Sequence, residues 1–112
     1  MTKEDALQQI KKEFETAEHA KSIGNEGMVR VCARRATGIA ITFWLQTNSG
    51  PGWGDNAMNQ LRSLQLDENI SQAVRDAAMR LTTRITEQFT PQFSNNPLED
   101  SRIIIHYFMD QL

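Results

Sequence analysis

Apolar residues recur along this chain at steps of three and four, and the polar positions between them divide it into a series of helices. In residues 2–22, Leu7, Ile10, Phe14 and Ala17 fall on one face, with Lys and Glu filling most other positions. Thr2 stands where a cap belongs, and Asp5 follows at the capping-box spacing. The run Gly24-Asn25-Glu26-Gly27 supplies a stop and a turn.

Residues 26–47 predict a second helix of different character. Val29, Cys32, Ala33, Ile39, Ile41, Phe43, Trp44 and Leu45, among others, leave it little polar face. A helix apolar on most sides belongs at the centre of a bundle. Ala33, Ala36, Gly38 and Ala40 are small enough for neighbouring helices to approach closely. Gly38 costs about 1 kcal/mol against Ala in a helix interior, which points to a packing reason for it. The segment is too long for a usual strand and lacks alternation.

The loop Asn48-Ser49-Gly50-Pro51-Gly52-Trp53-Gly54-Asp55 precedes a short helix over residues 56–64. Asp67 is the expected cap of a further helix reaching about residue 88, with Ile70, Val74, Ala77, Leu81 and Ile85 as its apolar stripe. Arg75, Arg80 and Arg84 fall outward or at its edge, and Thr90-Pro91 ends it. In Asn96-Pro97-Leu98-Glu99, Asn suits the cap, Pro the first helical position, and Glu the position that reaches back to the cap amide. The last helix then runs to about residue 110. The expected fold is all-α: a single domain, residues 1–112, built as an antiparallel bundle of four or five helices.

Charge and composition narrow the function classes. Twelve Lys and Arg against fourteen Asp and Glu give a net charge of -2 and no long-range field toward nucleic acid. The single cysteine, Cys32, forms no intrachain disulfide, and no export signal or membrane-length apolar run is present, so a cytoplasmic location is expected. Cys32 lies in the most apolar helix, where thiols are inert core. Cys32, His19 and His106 are isolated from one another, without zinc or di-iron spacing, so neither metal nor cofactor is expected. The glycine-rich loop lacks the Lys and Ser or Thr of a phosphate-binding loop and reads as a turn over which Trp53 packs down.

Two polar groups stand out. Arg30, Arg34 and Arg35 interrupt the apolar second helix. Carboxylates of the first helix, Glu13, Glu15 or Glu18, are their expected structural partners. As a functional site the three arginines would bind an anion, since guanidinium forks match phosphate oxygens. In the last helix Arg102, His106 and Asp110 are spaced by four and form a polar stripe capable of acid-base chemistry.

The stretch Gly27-Met28-Val29-Arg30-Val31-Cys32-Ala33-Arg34-Arg35-Ala36-Thr37-Gly38-Ile39-Ala40-Ile41 resembles the second helix of the HEPN superfamily (higher eukaryotes and prokaryotes nucleotide-binding). The resemblance implies a helical bundle, often dimeric, which in some members accompanies a minimal nucleotidyltransferase and in others is a metal-independent ribonuclease. The ribonucleases carry Arg and His on the last conserved helix, which maps to Arg102 and His106. Three residues separate that pair here, fewer than in those enzymes, and Ile103 replaces a usually polar neighbour. The resemblance therefore points to the non-catalytic branch. The expected function is a non-enzymatic interaction module, homodimeric or bound to a partner such as a nucleotidyltransferase, with a nucleotide or other anion near Arg30, Arg34 and Arg35. The alternative is a ribonuclease using Arg102 and His106.

Overall fold

A computed structural model describes residues 1–48, 52–83 and 96–110. It contains five helices, α1 (Lys3–Ser22), α2 (Glu26–Asn48), α3 (Ala57–Gln65), α4 (Gln72–Thr82) and α5 (Pro97–Met109), and no strand among the described residues. The fold is all-α, as the periodicity predicts. α2 is its axis: α1 and α5 pack along it, α3 crosses it, and α4 joins α3 to α5.

α1 begins with a reciprocal capping box. The Asp5 amide donates to Thr2 Oγ1 at 3.1 Å, and the Thr2 amide donates to Asp5 Oδ2 at 3.2 Å. Gly24, at φ +73°, takes the left-handed position that ends the helix. The Asn25 amide then reaches Ala20 O at 2.8 Å and the Gly24 amide reaches Lys21 O at 3.1 Å, a Schellman closure. Asn25 starts α2 in turn, its Oδ1 accepting from the Met28 amide at 3.1 Å. The buried face of α1 is Ala6, Ile10, Ala17 and Ala20, with Phe14 half-buried. Leu7, expected on that face, is 46% exposed; the contact stripe runs through position 6, about 100° around the helix from position 7.

Small residues let α2 serve four neighbours. Ala33, Ala36 and Ala40 are fully buried. A Cβ on Gly38 would stand 2.9 Å from the Ala57 Cβ, so glycine is what permits α3 to start this close to α2. Thr37 and Ser101 join α2 to α5 within the core: their hydroxyls lie 2.8 Å apart, and each also reaches Ala33 O, at 2.8 and 3.0 Å. Phe108, Ile41, Leu61, Leu64, Leu81 and Ile104 are the largest apolar side chains fully enclosed around this axis, each contributing roughly 1.5–3 kcal/mol by burial.

Three expected boundaries differ. Asn56, expected as the first residue of the short helix, is its cap, with Oδ1 accepting from the Asn59 amide at 3.1 Å. Asp67 does not cap α4; it closes a separate turn by accepting from the Asn69 amide at 2.9 Å, and α4 starts at Gln72. α4 also stops at Thr82, with Thr83 extended, short of the expected residue 88. Ile85, Arg84 and Thr90-Pro91 lie outside the described residues. At α5, Asn96 caps the Glu99 amide at 3.2 Å as expected. The Glu99 carboxylate does not complete the box; it lies 3.7 Å from Arg102.

Candidate functional site

The end of α4 explains two of the three arginines on α2. Arg34 Nε donates to Leu81 O at 2.7 Å. Arg30 Nη2 donates to Arg80 O at 3.3 Å and Thr83 O at 3.4 Å. These carbonyls are among those a helix end leaves without internal partners, and they carry its partial negative charge. The carboxylates of α1, expected as partners, are not engaged: Glu15 and Glu18 are exposed, while Arg30 and Arg34 turn toward α4. Burial lowers the pKa of both guanidiniums, and for Arg30 the neighbouring Arg34 lowers it further while Asp100 opposes the shift.

Beside them, Arg80 Nε and Nη2 donate to Asp100 Oδ1 at 3.0 and 2.8 Å. The bond to Asp100 raises the Arg80 pKa above its ordinary value. Three guanidiniums and one carboxylate thus meet where α2, α4 and α5 converge. Sequence reasoning names Arg80 only as an edge residue and misses Asp100. An acid in the first turn of a helix reads as a partner of the helix dipole, and nothing in the local sequence marks it as buried.

Arg35 stands apart from its two neighbours. Consecutive helical residues point about 100° apart, and Arg35 faces an open cleft of about 400 Å³ between α1, α2 and the start of α3. Gln9 and Glu13 line it from α1, Gly38 and Thr42 from α2, and Asp55 from the loop before α3. One oxygen of Glu13, Oε2, is buried and finds no hydrogen-bond partner. Nearby, the fully buried Gln60 donates to Thr42 Oγ1 and Gly54 O, each at 2.8 Å, while its own Oε1 is unpartnered and lies 3.6 Å from where a Gly38 Cβ would stand. Neither Gln60 nor the cleft is visible in the sequence, because both arise from the α2–α3 crossing.

The α5 stripe forms as expected and lies at the surface. Arg102 sits 5.1 Å above the Phe14 ring of α1 and 3.7 Å from Glu99. One turn on, His106 Nδ1 is 3.6 Å from Asp110 Oδ2, with both side chains about three-quarters exposed. Cys32 is 1% exposed, and burial together with Glu13 raises its pKa, so at neutral pH it is a thiol enclosed between helices. Among the described residues no group of His, Cys, Asp and Glu could hold a metal ion, and no helix is long and apolar enough to cross a membrane.

Trp53 packs down on the bundle as expected. Its ring centroid lies 6.1 Å from Trp44 and 6.3 Å from Phe108, and Tyr107 meets Phe108 edge-on at 5.0 Å. Phe108 is fully buried, whereas Trp44, Trp53 and Tyr107 remain half-exposed around it. Comparison with protein-family models, curated proteins and solved structures finds no match to this chain.

Proposed function

We propose that this chain is a non-enzymatic helical interaction module that functions as a homodimer. The observation that supports the reading is the half-exposed aromatic end of the bundle, where Trp44, Trp53 and Tyr107 surround Phe108. Leu45 beside Trp44 is half-buried as well, so apolar surface of α2 continues into this end. Partly buried aromatic clusters that reach the surface suit protein interfaces, where tryptophan and tyrosine are enriched. The HEPN resemblance points the same way, toward dimers and toward a nucleotidyltransferase partner.

Light scattering coupled to size exclusion tests the dimer at about 50 µM, where a self-association of moderate strength is populated. Both tryptophans lie in the patch, so dissociation on dilution should shift the emission to longer wavelength. A monomer at that concentration, with emission independent of dilution, overturns the dimer.

The accessible Arg102–His106 stripe favours a second reading, a metal-independent ribonuclease. There, His106 would move the proton and Arg102 would stabilise developing phosphate charge, with two subunits flanking the phosphodiester. Incubation with single-stranded RNA in the presence of a chelator separates the two. Cleavage abolished by His106→Ala supports the enzyme, and intact RNA removes it.

A further inference from the structure

We infer that the cleft between α1, α2 and the start of α3 binds a small ampholyte carrying an ammonium and a carboxylate on one molecule, of which an α-amino acid is the simplest. The inference is independent of the dimer. Its starting point is two opposite charges that line one cleft and do not pair with each other. Arg35 makes no hydrogen bond or ion pair with any described residue. Glu13 has an oxygen removed from solvent with no donor to satisfy it. A desolvated carboxylate oxygen is costly without a donor, and a ligand ammonium supplies a charge-assisted one. The Arg35 guanidinium is suited to the carboxylate at the other end of such a guest, through its paired donors.

Charge and shape select this class over a polyanion. Glu13 and Asp55 set two carboxylates against the Arg35 guanidinium and the amino group of Met1, which also lines the cleft, and charges of both signs suit a guest of balanced charge better than a phosphate chain. Gly38 leaves the α2 wall without a side chain, and Ile39 and Ala57 add apolar surface beside it. A volume of about 400 Å³ lies toward the lower end of small-molecule sites.

Amide chemical shifts of the ¹⁵N-labelled full chain test the inference. The chain would be titrated separately with each proteinogenic L-amino acid up to about 10 mM, and with n-butylamine and butyrate as half-ligands. At least one amino acid should shift the amides of Gln9, Glu13, Arg35 and Thr42 saturably, with both half-ligands at least about tenfold weaker. Glu13→Gln and Arg35→Gln should each weaken binding by about tenfold or more, and Arg35→Lys by less. Thermal melts of the variants establish that they fold. Failure of every amino acid to saturate, equal binding by a half-ligand, or undiminished binding in both folded Gln variants overturns the inference. None of these results bears on the dimer, which light scattering reads separately.

Discussion

Asp100 is a carboxylate buried at the junction of α4 and α5, and the Arg80 fork on its Oδ1 offsets the loss of its hydration. Arg80→Ala leaves that carboxylate behind, so a loss of about 2–3 kcal/mol is expected in urea unfolding, more than for an exposed ion pair. A loss below about 0.5 kcal/mol would show that the pair has no structural weight. Asp5 makes a prediction of opposite exposure. The Thr2 amide and hydroxyl hold its carboxyl below the ordinary value. A depressed folded-state pKa stabilises above the unfolded value and loses that contribution as pH falls through the folded one. The melting difference between the parent and Asp5→Asn should therefore be present at about pH 6 and shrink as pH falls below about 4, the ordinary carboxylate value. At this scale the sequence is legible where partners are local. Thr2 with Asp5, and Asn96 with the Glu99 amide, follow from spacing; Arg80 with Asp100 joins residues twenty apart through the tertiary fold.

Among the elements, α4 shows how a helix is stopped by another. Its final carbonyls are taken by Arg34 and Arg30 from α2, while the Thr82 and Thr83 hydroxyls both turn back to Met79 O at 3.0 and 2.8 Å. Nothing between residues 82 and 88 resembles a stop signal, so periodicity carries the expected helix too far. The stop is supplied by side chains forty-seven or more residues away. Arg34→Ala should lower stability by about 1–2 kcal/mol, from the lost charge-assisted bond and the unsatisfied Leu81 carbonyl. Urea unfolding measures it, and an unchanged midpoint would remove Arg34 from the account of α4. Gly38 is the converse case: the sequence signals a close contact, and the structure identifies Ala57 as the other side of it.

For the molecule as a whole, the central position of α2 sets a hierarchy of stability. α2 touches every other helix, whereas α1 packs chiefly on α2 and buries mostly small side chains, Ala6, Ala17 and Ala20 beside Ile10. An element with little enclosed apolar surface opens at lower free energy than the core it covers. Native-state hydrogen exchange should accordingly release the α1 amides before those of α2 and α5; equal protection throughout would mean that the bundle opens as one unit. The architecture was legible because α2 is apolar on nearly every side, a pattern only a central helix satisfies. The cleft beside Arg35 was not, because it is bounded by α1, α2 and the loop before α3, none of which carries the signal alone.

The Thr37–Ser101 pair carries a consequence for how this chain can change over time. Two hydroxyl protons serve three short contacts at a crossing with no solvent to substitute for either group. Replacing one partner with an apolar residue leaves the other still donating to Ala33 O, and replacing both together leaves a dry joint at little cost. Descendants of this sequence should therefore be able to lose the hydroxyls one at a time, because the Ala33 carbonyl receives whichever proton remains.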